Sequence, residues 1–329
     1  MQINKPNVEI NRQIPSDEID WQIIWHALWA GKWLIVGVTA LFTVAAVMIA
    51  INLPNIYRSE ALVASISPSQ RDTLASIAGQ FSGLASLSGI NIPTIGPDET
   101  IIALETLESR SFIKNFIEKH NILPELMAVK NWDLASDMII FDDKIYDKSS
   151  RAWTREVKPP QKAKPSNIEA HEEFLAALNV SQDKNTSLIT ISIEHYSPVI
   201  AKQWVEWLVD DINSYMREQD LREANQSIVY LNKQLASTSI AGMQAIFYRL
   251  IEEETKTIML AQVQSDYILK TIDPAIVPEE EFKPKRLQIM LLGLFLGGLF
   301  GTTTVLGHHF FGPTTLNKLK TKNENLEKN

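Results

Sequence analysis

No cysteine occurs among the 329 residues. That excludes disulfides and thiolate metal sites, and it suits an oxidising compartment without requiring one. A phosphate-cradling Gly-x-x-x-x-Gly-Lys-Ser/Thr loop is also absent, which removes the nucleotide chemistry that depends on it. No His-Glu-x-x-His occurs either, since His171-Glu172-Glu173 has no second histidine at the required spacing. The adjacent His308 and His309 would point about 100° apart on a helix, so they read as interfacial residues closing an apolar run. Asp142-Asp143 and Glu252-Glu253-Glu254 read as solvated acidic surface, and Trp204 and Trp207 as packing residues. No catalytic constellation is visible, and neither a cofactor nor a metal is expected.

Charge is missing from two long windows. Trp33–Leu53 contains no Asp, Glu, Lys or Arg, and neither does Leu287–Phe311. Crossing the hydrocarbon of a bilayer takes about 20 apolar residues in a helix, so both windows are predicted to span. The first is preceded by some thirty mostly polar residues, and it exceeds the 7–15 residues of a signal-peptide core, so it reads as a retained anchor. The basic residues Lys318, Lys320, Lys322 and Lys328 after the second window favour a cytoplasmic C-terminus. Two spans then put the N-terminus on the same side. Lys283, Lys285 and Arg286 pull the other way.

The expected layout is an N-terminal tail (1–32), a first span (33–53), a large domain (54–286), a second span (287–311) and a C-terminal tail (312–329). The large domain is net acidic, which argues against nucleic acid as a partner. It opens on a strand-like stretch at 56–67, followed by a small-residue segment at 73–90. A helical pattern then begins at Asp98-Glu99, with Ile101, Leu104, Leu107, Phe112, Phe116 and Ile117 near one face. The basic stretch 144–165 reads as an exposed loop around Pro159-Pro160. Residues 178–180 and 187–194 form a predicted hairpin, its second strand alternating Ile189, Ile191 and Ile193 with polar residues.

Ser197 is placed to cap, and Pro198 to open, the longest helix. Its apolar stripe runs through Ala201, Val205, Leu208, Ile212 and Tyr215. The stripe is interrupted by Arg217-Glu218-Gln219-Asp220 and resumes in shifted phase at Leu221, Ala224, Ile228, Leu231 and Leu235. A helix from Pro198 to about Ala236 would be roughly 55–60 Å long, an arm that buries its stripe on another helix or a neighbouring subunit. A second arm helix from Met243 to about Tyr267 and a strand over 270–277 return the chain. The fold class is therefore an α+β membrane protein with an α/β base (54–197 and 269–286) and a helical arm (198–268). Trp204, Leu208, Ile212, Leu231 and Leu235 are its expected arm and oligomer packing residues. Gly293, Gly297 and Gly301 recur every four residues in the second window. That is the small-xxx-small pattern that lets helices approach closely in lipid, and Ala46 and Ala50 of the first window are the candidate opposing surface.

These stretches, in this order, resemble the Wzz chain-length determinants, polysaccharide co-polymerases of Gram-negative inner membranes. Pro54 followed by Tyr57-Arg58-Ser59-Glu60-Ala61 is similar to the family's strand after the first span, and Leu84–Gly89 to its small-residue segment. Ser197, Pro198, Ala201, Trp204, Ile212 and Asn213 resemble the start of its long helix. Leu250-Ile251-Glu252, Thr255-Lys256 and Met259–Ala261 resemble its descending arm. Asp273-Pro274-Ala275 and Pro278 resemble its return strand, and Pro284-Lys285-Arg286-Leu287 its entry to the second span. The resemblance implies a periplasmic domain, cytoplasmic tails and a closed-ring homo-oligomer. It also implies a non-catalytic role: setting the modal length of a lipid-linked polysaccharide, usually lipopolysaccharide O-antigen, beside an O-antigen polymerase in the same membrane. Glu279-Glu280-Glu281 departs from the family's proline-rich linker and leaves the polymer open. The tail after Phe311 has no tyrosine and no P-loop, so the kinase-fused type is not expected. A kinase-partnered adaptor for capsule or exopolysaccharide export is the alternative, and a ligand-sensing receptor a more distant one.

Overall fold

The computed structural model describes residues 21–66 and 99–311. The small-residue segment at 73–90, with Leu84–Gly89, and both extreme tails lie outside the described residues. The chain divides into two units, Met1–Leu53 with Lys285–Asn329, and Pro54–Pro284.

In the first unit, helix α1 (Trp21–Ala30) is followed by α2 (Lys32–Asn52), and α9 (Arg286–Phe311) packs along α2. Helices α2 and α9 are both long and apolar enough to cross a membrane. Most of their apolar side chains, including Leu41, Val44, Met48, Leu292 and Phe295, face away from protein. A soluble core helix would bury them, and these are left for another apolar phase.

The second unit begins with β1 (Tyr57–Ser65). Next come α3 (Glu99–Leu107), α4 (Arg110–His120) and α5 (Leu123–Met127), then two short hairpins, β2 (Val129–Asp133) with β3 (Met138–Phe141) and β4 (Tyr146–Asp147) with β5 (Ala152–Trp153). Then follow α6 (Asn167–Ala177), β6 (Leu178–Gln182), β7 (Ile189–His195), α7 (Pro198–Ser237), α8 (Ala241–Val263) and β8 (Leu269–Asp273). Strands β6, β7, β1 and β8 lie in that order in one antiparallel sheet. The β6–β7 hairpin forms at the expected place, with Val180 opposite Ile191.

The sheet's inner face is set by residue alternation. Ala61 and Val63 of β1, with Ile189, Ile191 and Ile193 of β7, are almost completely buried. Across from them lie Phe112, Ile113 and Phe116 of α4, Phe174 of α6, and Trp204, Leu208 and Ile212 of α7. The continuous helical pattern read from Asp98 is two helices. Ser109 breaks it, its hydroxyl accepting the Phe112 N–H as the N-cap of α4. The stretch 144–165 also differs from a plain loop. It carries the β4–β5 ribbon, where Tyr146 packs on Trp153 with ring centroids 5.0 Å apart. Helix α6 starts with a reciprocal capping box between Ser166 and Glu169. Arg155 reaches Glu169 at 2.6 Å, and this guanidinium, with the Ser166 N–H, holds the Glu169 carboxyl down at about 2.

Candidate functional site

Three features of the chain carry sites named from the sequence: the contact between α2 and α9, the entry to α9, and the long helix α7. In the first, α9 meets α2 along its glycines. A Cβ at Gly293 would collide with the Ala46 side chain. One at Gly297 would lie 2.8 Å from both the Phe42 Cβ and the Thr39 Cα, and one at Gly301 would lie 3.0 Å from the Ile35 Cα. Carbon atoms ordinarily rest about 3.5–4.0 Å apart, so a side chain at Gly293 or Gly297 would force something to shift, and one at Gly301 would be tight. The partner is α2 of the same chain, stepping from Ala46 to Ile35 as α9 steps from Gly293 to Gly301. Of the two alanines, Ala46 opposes Gly293. Ala50 is 2% exposed and lies at the other end of the contact, where its carbonyl accepts from the Arg286 Nε at 3.4 Å. Phe42 stacks on Phe300 at 5.4 Å. Gly298, by contrast, faces open space.

At the entry to α9, Lys285 offers its carbonyl to the N–H groups of Gln288 and Ile289. Lys285 is exposed, while Pro278, Pro284 and Arg286 are half-buried. Just before it, Ile56 and Lys283 pair as an isolated bridge, with Ile56 N to Lys283 O at 2.9 Å and Lys283 N to Ile56 O at 3.1 Å. The two ends of the large unit are thus tied to each other within two residues of its limits.

Helix α7 has two halves with different partners. Trp204 is 1% exposed, and Leu208 and Ile212 are completely buried in the core under the sheet. This corrects their placement on an arm. They belong to the base, and a neighbouring subunit cannot reach them. Beyond Met216, α7 pairs with α8 instead. There Ala224 and Leu231 are buried and Leu235 is half-buried. The phase shift of the stripe at Arg217–Asp220 marks this change of partner.

Where the arm returns, α7 supplies polar side chains whose contacts the sequence reading did not foresee. Asn213 is 5% exposed. Its Oδ1 accepts from the backbone N–H groups of Tyr267, Ile268 and Leu269 at 3.3, 2.9 and 2.9 Å, and its Nδ2 donates to the Leu269 carbonyl at 2.9 Å. One turn on, Arg217 donates to the carbonyls of Gln264 and Ser265, and the Tyr267 hydroxyl donates to Asp220. The segment between α8 and β8 has few partners within a helix or sheet, so these bonds fix where the arm rejoins the base. On the opposite side, Asp211 accepts from Lys119 at 2.5 Å and meets His120 at 2.9 Å, while the His120 ring stacks on Trp207 at 4.1 Å. Burial, with the adjacent Asp211 and Glu206, pushes the Asp210 carboxyl above its ordinary value. An isolated Asn or Asp in a helical run reads as solvent-facing, which is why these anchors are hard to see in sequence.

None of these arrangements aligns a nucleophile with a base. Among the described residues no group of three potential metal ligands converges. The described residues offer packing surfaces, a long helical arm and a buried polar anchor at its return.

Residues 17–120 match the family model for the Wzz chain length determinant protein. Residues 226–310 match that of the G-rich domain on putative tyrosine kinase. No individual curated protein matches the chain. Among solved structures, a full-length bacterial polysaccharide co-polymerase aligns over 90% of this chain and 98% of its own, at 15% identity and a TM-score of 0.36. A fragment of WzzB, a polysaccharide co-polymerase from Salmonella Typhimurium, aligns over 70% of this chain and 100% of its own, at 10% identity and a TM-score of 0.26. Structural likeness at that level is loose, and the assignment rests on the sequence models. With the chain-length-determinant match covering the first apolar helix, β1 and α3–α4, the chain carries a Wzz chain length determinant domain over residues 17–120.

Proposed function

We propose that this protein sets the modal chain length of a lipid-linked surface polysaccharide, O-antigen on lipopolysaccharide being the first candidate. It acts without catalysis, as an oligomeric scaffold beside a separate polymerase in the inner membrane. In this reading α2 and α9 cross the bilayer, the domain between them is periplasmic, both termini are cytoplasmic and the subunits close into a ring. The single observation that carries it is the chain-length-determinant match over residues 17–120. The two apolar helices on either side of Pro54–Pro284 support it.

A second reading has its own observation. The match of residues 226–310 to a domain described from putative tyrosine kinases favours a membrane adaptor that works with a kinase in capsule or exopolysaccharide polymerisation and export. Purification of the tagged chain from native membranes separates the two. The first reading expects a multi-spanning polymerase to copurify. Recovery of a tyrosine kinase without a polymerase would replace it with the second. Topology is checked by alkaline phosphatase fusions, which should be active within 144–165 and inactive after Asn329. The reverse pattern would overturn the membrane arrangement.

A further inference from the structure

The β2–β3 hairpin carries apolar side chains that nothing among the described residues covers. Its two faces differ. Val129, Trp132, Ile139 and Phe141 form one face and are half-buried. On the other face, Met138 is 55% and Ile140 46% exposed, and Leu134 in the turn is 77% exposed. A ribbon that ends in an exposed leucine, flanked by an exposed methionine and isoleucine, costs solubility unless something receives it.

The position of the turn says what that is. Asp133 pairs with Met138 at the last rung of the ribbon, so Trp132 sits one residue from the turn. The Trp132 ring meets the Tyr57 ring edge-on at 5.4 Å. Tyr57 comes four residues after Leu53, where the first apolar helix has just ended. Four residues reach about 14 Å at full extension. The other connection is as short, since the Ile56–Lys283 bridge lies two residues before Lys285. The turn is therefore tethered at the end of the domain where its own two chain ends lie, a few residues of sequence from each apolar helix.

Several of its polar groups already have partners. Trp132 Nε1 donates to Asp137 at 2.9 Å, Ser136 to Asp133 at 2.6 Å, and the Ala135 N–H to Asp133 at 3.3 Å. The two turn carboxylates thus hold partners of their own near a phase that offers few, which lowers the cost of approach. A tryptophan beside an apolar tip is the composition of a membrane interface.

We propose that the β2–β3 hairpin dips into the headgroup layer of the bilayer, with Leu134, Met138 and Ile140 as its lipid contacts, and fixes the domain's approach to the membrane. This rests on the reading that α2 and α9 cross that bilayer. The absence of cysteine makes the test direct. Full-length Leu134→Cys, Met138→Cys, Val44→Cys and Lys184→Cys are each labelled with an environment-sensitive fluorophore and reconstituted into phosphatidylcholine vesicles. Nitroxide lipids, labelled near the headgroup or deep in the acyl chain, then quench what they reach. All four sites are exposed, so the labels leave packing intact.

The expected result is a blue-shifted signal at 134 and 138 that loses more intensity to the shallow quencher than to the deep one. Lys184, in the β6–β7 turn, should lose none, and Val44 should be lost to lipid quenchers. Quenching at Val44 with none at 134 and 138 would overturn the hairpin proposal and leave the spanning helices standing. A blue shift at 134 without quenching would mean that another protein surface, such as a second copy, covers the tip, and would overturn it too. No quenching at Val44 would remove the spanning reading and the proposal together.

Discussion

Gly297→Leu is the perturbation that the structure defines most sharply. A Cβ at this position would stand 2.8 Å from the Thr39 Cα, a backbone atom that no rotamer change can move, and 2.8 Å from the Phe42 Cβ. Restoring ordinary contact requires the two helices to part by about 1 Å for the Cβ alone, and a gap of that size forfeits a quarter to a half of each neighbouring contact. The remaining leucine atoms add to it. Overpacking defects of this kind cost about 1–3 kcal/mol. In lipid no hydrophobic force between helices offsets the loss, so the pairing equilibrium should fall by about 5- to 150-fold. Gly298→Leu adds the same side chain one residue away, into open space, and should change nothing. Phe42 and Phe300, whose rings stack, give the assay. Oxidative cross-linking of a Phe42→Cys/Phe300→Cys pair in membranes should fall in the Gly297→Leu background and persist with Gly298→Leu. Equal cross-linking in both would show that the glycines are composition rather than contact, and the packing argument would fail.

Other outcomes follow from the large domain. Asn213→Ala leaves the N–H groups of Ile268 and Leu269 without their acceptor in a buried place, at about 1–3 kcal/mol each, and should lower the urea midpoint markedly. Asn213→Asp keeps that acceptor and should lose less; equal losses would assign the effect to packing alone. His195 is held neutral, its Nε2–H donating to the Glu125 carbonyl and its Nδ1 accepting from the Ser197 N–H. Burial lowers its pKa below the ordinary value. The unfolded chain therefore takes up a proton that the folded chain refuses, so stability is present above about pH 6.5 and is lost as pH falls through that value. A His195→Gln variant should show a flatter urea midpoint across this range than the parent, and an unchanged slope would refute the assignment. Trp204→Ala opens the base core and should cost about 3–5 kcal/mol, read in the same denaturation.

Sequence reading reached furthest where one physical pattern had no competitor. The two uncharged runs are α2 and α9 in the structure, and Ser197-Pro198 starts α7, which ends at Ser237, one residue past the expected Ala236. The alternation of β7 specified which isoleucines would be buried. It failed where tertiary partners decide. The stripe of Trp204, Leu208 and Ile212 looks the same whether a helix lies on a sheet or on another subunit. Only the phase shift at Arg217–Asp220 hinted that the base ends there. Ser109 was a cap signal hidden in a continuous apolar pattern, and the capping box of Ser166 and Glu169 lay unread before α6. Strands of two to five residues at 129–153 are too short for periodicity to show. The Asn213 contacts join residues more than fifty positions apart, which no local pattern encodes. The glycine spacing was legible, but which of Ala46, Phe42, Thr39 and Ile35 each glycine meets was not.

The length distribution of the polymer is the measurement that bears most directly on the central claim. Chromosomal deletion of the gene, followed by silver-stained gels of lipopolysaccharide, should leave synthesis intact while a modal cluster of bands gives way to an unweighted ladder. Complementation with the intact chain should restore the cluster. Loss of all polymer on deletion, or an unchanged modal cluster, would contradict a role in setting chain length.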